Sequence, residues 1–215
     1  MRSSTGFKAE PATSLRARLQ QSTQSQHRNV ERHLRLDRPV WTAPAYRAVL
    51  EKMWGLYLPL ESQLDRIDWQ DSGIVMHERR KTPWLRADLA YFGLSDASIA
   101  ALDLCGDVPR IDSIAAGLGA LYVLEGATLG GQVILGRLQP GLGISPGNGG
   151  TFYASYGKMI GIMWRSYLAA MERVGIAPSL ANAIERGAVE TFAAFERWLS
   201  VPALAVIEGP PENHV

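Results

Sequence analysis

The stretch from Ser113 to Gly136, SIAAGLGALYVLEGATLGGQVILG, carries a single charged residue, Glu125, near its middle. Its length and apolarity are those of a membrane span, but two features argue for another environment. A carboxylate at the centre of a bilayer costs about 2.5 kcal/mol or more, and glycines at 117, 119, 126, 130, 131 and 136 dilute the hydrophobicity. The stretch therefore reads as a helix buried inside a globular protein, with no membrane expected as partner. The rest of the chain must supply the helices that cover it.

Those helices are legible on both sides. Upstream, Thr13 or Ser14 caps a first helix whose stripe is Leu15, Leu19, Val30 and Leu34, ending near Arg35 and closed off by Pro39. Thr42-Ala-Pro44 opens a second helix with Tyr46, Leu50, Met53, Trp54, Tyr57 and Leu58 inward. Pro59 kinks it before it continues through Leu60 to Ile67. A polar loop follows. Thr82-Pro83 starts a short helix over Trp84 to Phe92, stopped by Gly93, and Ser95 or Asp96 starts another through Leu104. Asp112 caps the glycine-bearing helix, expected to run to about Leu138, and Pro140 to Gly150 reads as a loop. Phe152 to Val174 and Pro178 to Leu199 read as two long amphipathic helices. Their stripes are Tyr156, Ile160, Met163, Trp164, Tyr167 and Met171, and Ala188, Phe192, Phe195 and Leu199. Strand-like alternation is nowhere sustained, so the expectation is an all-α single domain over 14–200, a helical bundle with a loosely ordered lead-in at 1–13 and a tail at 201–215.

Composition narrows the function. The 215 residues hold 22 Lys and Arg against 21 Asp and Glu, a net charge of +1, which provides no overall field to gather nucleic acid or anionic lipid. Cys105 is the only cysteine, so there is no disulfide framework and no cysteine-built zinc site. The N-terminus lacks the apolar core of a secretory signal, and a cytoplasmic protein is the expectation. Glycine, at 21 residues, exceeds the usual ~7%. The Gly-rich run 141–150 lacks the Lys-Ser/Thr of a phosphate loop, and no His-Glu-x-x-His occurs.

Two features could carry chemistry. His77 lies in a polar loop, His214 in the tail, and His33 is about 240° around the helix from His27 at 100° per residue, away from the apolar stripe. His27 shares its face with Thr23, Val30, Glu31 and Leu34 and points toward the edge of the core. Glu31, four residues on, can accept the second ring N–H, as partners of metal-bound histidines do, or the pair can be purely structural. The second feature is the glycine helix. A glycine inside a helix costs about 0.5–1 kcal/mol relative to alanine, so Gly126, Gly130 and Gly131 together give up roughly 2–3 kcal/mol. Positions 126 and 130 share a face, and that bare backbone suits either a close-packed helix or a flat ligand.

Together these features resemble the heme oxygenase family. Thr23-Gln-Ser-Gln-His27-Arg-Asn-Val-Glu31 is similar to its proximal helix, and Gly126-Ala-Thr-Leu-Gly130-Gly131-Gln132-Val133 to its distal helix, whose glycines lie over the heme. Lys81-Thr82-Pro83-Trp84-Leu85-Arg86-Ala87-Asp88-Leu89, Tyr156-Gly157 with Trp164-Arg165, and Phe192-Ala-Ala-Phe195-Glu-Arg-Trp198-Leu199 resemble the bacterial branch, especially members that accompany bacteriophytochromes. The resemblance runs in order from about Leu15 to Leu199. Two positions depart from the mammalian branch: Ala127 stands where that branch has an Asp after the first distal glycine, and Gly161 where it has a Lys one turn before Arg165.

The resemblance implies a heme oxygenase-like helical domain that binds heme b, both cofactor and substrate, with His27 as iron ligand and Glu31 behind it. It implies Tyr122, Gly126 and Gly130 against the heme, Gly126, Gly130 and Gly131 steering the oxygen chemistry to one meso carbon, and Arg165 with Lys158 on the propionates. The implied reaction takes O₂ and electrons from an external donor, a ferredoxin or reductase. It releases biliverdin, CO and ferrous iron, with a bacteriophytochrome as recipient of the biliverdin. A heme carrier of the same fold that does not degrade its ligand is the alternative.

Overall fold

The computed structural model describes residues 14–34 and 41–200, so the lead-in, the Thr13 cap, the helix end at Arg35, the Pro39 stop, the tail and His214 lie outside it. Among the described residues the chain is all α-helical, and β pairing is confined to isolated bridges from Ser145 to Asn148 and Gly149.

Helix α1, Leu15–Leu34, buries Leu15, Leu19, Val30 and Leu34 as the stripe requires, and its N-terminus is capped by Ser14 Oγ, which accepts the Ala17 N–H at 3.3 Å. Helix α2, Ala43–Leu64, starts from the Thr42 cap with Pro44 in its first turn and continues unbroken past Pro59. It ends at Leu64, short of the expected Ile67, and Leu58 is only half-buried where the stripe placed it inward. Helix α3, Thr82–Tyr91, begins earlier than its cap signal suggests. The capping is done from α2: Glu61 accepts the Lys81 N–H at 2.6 Å, the Thr82 N–H at 3.2 Å and the Thr82 hydroxyl at 2.6 Å. Thr82 is thereby freed to be helical. Helix α4, Asp96–Ala100, is one turn shorter than expected.

Helix α5, Ile114–Leu142, is the glycine-bearing segment. Ser113 caps it, in place of Asp112, and it continues past Pro140 to Gly143 at φ 65°. A proline in the last turn removes one hydrogen bond at a point where few remain to lose, and Leu138, 1% exposed, anchors the end in the core. By length and composition α5 could cross a membrane, yet 56% of its most apolar window is buried within the protein. It packs along α8, Pro178–Leu199, which in turn packs on α1, and all the helices share one hydrophobic core. At the α5–α8 crossing there is no side chain between the backbones. A Cβ built at Gly119 would strike the Ile184 carbonyl, and one at Gly187 would come 2.8 Å from the Ala116 carbonyl.

The expected long helix over Phe152 to Val174 is three pieces: α6, Thr151–Ala154, a 3₁₀ turn at Gly157–Met159, and α7, Ile160–Val174. Ser155 at φ 50° and Gly157 at φ 56° break it. Asp88 of α3 holds the start of α6, its two oxygens accepting the Thr151 and Phe152 N–H groups at 2.9 and 2.8 Å. The break frees Tyr156 to turn into the interior.

Candidate functional site

Where α1 faces α5 the helices part around a cavity of about 680 Å³, a volume in the ~300–1,000 Å³ range of small-molecule sites. Helix α1 contributes His27, Glu31, Arg16, Gln20, Gln24 and Arg28, and α5 contributes Tyr122, Gly126, Ala127, Thr128, Gly130 and Gly131. Met53 and Tyr57 of α2, Phe152 and Tyr153 of α6, Trp164 of α7, and Phe192 and Phe195 of α8 complete an aromatic wall.

His27 stands one turn after Thr23, which is buried with its hydroxyl donating to the Leu19 carbonyl at 2.7 Å. The stripe that seats α1 therefore ends at the cavity edge, and His27 projects there with 55% of its side chain accessible. Its ring meets Phe192 edge-on at 5.8 Å and 83°. Glu31 Oε1 lies 3.8 Å from His27 Nδ1, an ion-pair distance too long for a hydrogen bond. The expected hold of Glu31 on the ring N–H is therefore not made in this conformation. Among the described residues no three of His, Cys, Asp and Glu converge, and His27 is the histidine that borders the cavity. His77 is exposed as expected, whereas His33, expected in solvent, is half-buried.

The glycines of α5 divide into two kinds. A Cβ at Gly126 or Gly130 would meet nothing within 4 Å, so these two leave their face open to the cavity. At Gly131 it would lie 2.5 Å from the Tyr153 carbonyl oxygen, and at Gly117 2.7 Å from the Trp69 ring. Gly131 borders the cavity, but its missing side chain is required by packing. Close packing accounts for the bare backbone at Gly131, and at Gly126 and Gly130 the bare face is left open. Tyr122 is half-buried beside the Trp164 ring, 6.0 Å away. Burial pushes its hydroxyl above the usual range, and a hydrogen bond with Thr23 offsets part of this.

Lys158 and Arg165 are exposed and do not border the cavity. The break at 155–157 resets the rotation of α7. Trp164 joins the wall, and Arg165, about 100° further round, turns off it. The cations that do border the cavity are Arg16, Arg28 and Lys81.

Lys81 belongs to a buried network that the sequence reading passed over. Glu125, fully buried, receives Arg79 Nη1 on Oε2 at 2.8 Å and Lys81 Nζ on Oε1. Tyr156 donates to the same Oε1 at 2.8 Å, and Lys81 Nζ also reaches Tyr156 Oη at 2.7 Å and the Arg79 carbonyl at 2.6 Å. Arg79 extends the network to Ser166 Oγ at 2.7 Å and the Met163 carbonyl at 3.3 Å. Burial pushes the Lys81 ammonium below its usual range, and the Glu125 carboxylate opposes that shift. A lone carboxylate in an apolar helix demands buried cations, and the run His77-Glu-Arg-Arg-Lys81 was the place to seek them.

Gly143-Ile-Ser-Pro-Gly147 matches the Gly-x-Ser-x-Gly spacing of hydrolase nucleophiles, but it follows a helix instead of a strand. Ser145 Oγ accepts from Asn148 Nδ2 at 3.3 Å, with no histidine beside it among the described residues' hydrogen bonds.

The family model described as heme oxygenase matches residues 13–201. A heme oxygenase of Xanthomonas campestris pv. campestris (strain 8004) is 34% identical over 168 residues, covering 75% of this chain and 92% of that protein. Among solved structures, the NO- and CO-bound heme oxygenase of Neisseria meningitidis superposes with a TM-score of 0.71 at 18% identity, covering 94% of this chain and 98% of that one. Heme oxygenase-1 of the cyanobacterium Synechocystis, in complex with heme, superposes with a TM-score of 0.67 at 17% identity, covering 89% and 93%. At these identities the two structures speak for the fold.

Proposed function

The chain belongs to the heme oxygenase family, and from that premise we propose that it binds heme in the α1–α5 cavity and opens the macrocycle to biliverdin, CO and ferrous iron. The observation that carries this reading is that a histidine and a helix face without side chains, His27 and Gly126 with Gly130, border one cavity walled by aromatic rings. Heme, as substrate, supplies the oxygen chemistry once reduced by an external donor, for which a ferredoxin or reductase fits. The protein's own residues orient and exclude. His27 offers a neutral ring nitrogen, and Glu31, within a small side-chain movement, can hold the other N–H. Gly126 and Gly130 allow backbone to approach where a side chain would stand. Phe152, Tyr153, Phe192 and Phe195 exclude water. Arg16 and Arg28, with Gln20 and Gln24 between them, take the propionate-pairing role expected of Arg165 and Lys158. Ala127 has no side-chain group that can accept a hydrogen bond, so proton supply falls to water and to neighbouring hydroxyls such as Thr128 and the tyrosines. Delivery of biliverdin to a bacteriophytochrome, in the cytoplasm, is the physiological role this reading favours.

Hemin titration followed by reductant and O₂ tests the proposal. The expected result is a Soret band of histidine-ligated heme that gives way to a biliverdin spectrum. A stable complex that autoxidises without ring opening would select the carrier reading.

A further inference from the structure

The segment of α5 that faces the ligand cavity has few side chains holding it to the rest of the protein. Of residues 125–133, only Glu125, Thr128 and Gly131 are buried. Thr128 turns its hydroxyl back to the Glu125 carbonyl at 2.7 Å, and Gly131 has no side chain to place. On the cavity side, a Cβ at Gly126 or Gly130 would meet nothing within 4 Å. Glu125 is thus the one long side chain that ties this segment inward. Its carboxylate meets Arg79, from the 3₁₀ turn Met76–Arg79, Lys81 at the start of α3, and Tyr156 from the break before α7. Arg79 passes the tie on to Ser166 of α7.

We infer that Glu125 is a positioning residue for the heme reaction: clamped by Arg79, Lys81 and Tyr156, it fixes the height of the Gly126–Gly130 backbone above the ligand. It touches no substrate and acts through the helix that follows it. A carboxylate fits this task because two oxygens can take cations from two directions, and burial makes the paired arrangement far better than any unpaired one. The Tyr156 contact explains why the helix between Thr151 and Val174 is broken: the left-handed residues on either side of Tyr156 let its hydroxyl reach the clamp.

The inference rests on the heme reading above, and its first test needs no heme. Hydrogen exchange of the ligand-free protein, resolved by peptide, compares wild type with Glu125→Gln and Tyr156→Phe. The first keeps side-chain volume and removes the charge. The second removes one hydroxyl, leaves the ions paired, and stands in if the first does not fold. Amides at 126–131 should exchange about tenfold faster in Glu125→Gln and more modestly faster in Tyr156→Phe, with protection at 114–122 retained. In the hemin complexes, the C–O stretching band of the ferrous CO adduct should shift or broaden while hemin affinity changes by less than about threefold. Acceleration spread evenly along α5, or an unmoved CO band, overturns the inference. If the wild type takes up hemin and leaves it intact, the functional reading fails while the exchange result still stands on its own.

Discussion

Alanine at both Gly126 and Gly130 should stabilise the ligand-free protein and impair its function in one step. The new methyl groups meet nothing within 4 Å, so the change carries no steric cost. Each helix-interior replacement gains about 0.5–1 kcal/mol. The pair gains about 1–2 kcal/mol, and at ~2–4 °C per kcal/mol for a protein of this size the melting temperature should rise by roughly 2–8 °C. Those methyls occupy the cavity face that borders the ligand, so hemin affinity, read from Soret absorbance, should fall by about tenfold or more, ~1.4 kcal/mol. Gly131→Ala is the internal control. Its methyl would stand 2.5 Å from the Tyr153 carbonyl, and overpacking of about 1–3 kcal/mol should lower the melting temperature instead. A lower melting temperature for the 126/130 double variant, or undiminished hemin binding, would refute the division of the glycines into those that pack and those that leave room.

Three further outcomes are expected. His27→Ala should lose the Soret signature of histidine-ligated heme and regain it with added imidazole; persistence of the band in the variant would remove His27 as ligand. Asp88→Asn leaves one N–H at the start of α6 without an acceptor and should cost about 1–3 kcal/mol in urea unfolding. Because burial holds the Asp88 carboxyl above its usual 3.8, the folded state binds that proton more tightly than the unfolded. Wild-type advantage over the variant should therefore be largest at low pH and shrink as pH rises through the window above 3.8; a gap that widens with pH contradicts this. Lys81→Met, which strips one cation from the buried Glu125, should cost about 3–5 kcal/mol, whereas the apolar triple change Arg79→Met, Lys81→Met, Glu125→Leu should recover most of it. A triple variant less stable than the single would show that the network contributes net stability.

Much of the fold is legible because most helices carry their own signals. The stripes of α1 and α8 end near where the structure ends them, since each helix buries one face and a local cap or proline marks the boundary. The break at Ser155 is not legible. Its cause is Tyr156 reaching Lys81 and Glu125, residues far away in sequence, and no periodicity within 152–174 encodes that demand. Pro140 misleads for the opposite reason: a local helix-breaker is overruled by the burial of Leu138. In the site, spacing alone singles out His27 and the glycines, because it puts them on defined helix faces, and Tyr122 comes from the resemblance; the structure brings all of them to one cavity. Arg165 and Lys158 came from the resemblance alone, and no spacing in 152–174 reports that both lie off the cavity. The stretch before Thr82 looked like a polar loop because charge usually signals solvent, yet Arg79 and Lys81 are 3% and 1% exposed.

The crossing of α5 and α8 at Gly119 and Gly187 has a consequence for ligand selection. Helix α8 also carries Phe192 and Phe195, so the distance between that wall and α5 is referenced to a contact between two main chains. Main chains in contact have no rotamers to exchange, and the gap behaves as a gauge of fixed width and not as an adaptable pocket. A thicker ligand is therefore resisted most strongly near the crossing, where making room means parting two main chains, and less at 126–131, which the Glu125 clamp holds. In related sequences, positions 119 and 187 should admit a larger residue only when the opposite helix shifts to receive it.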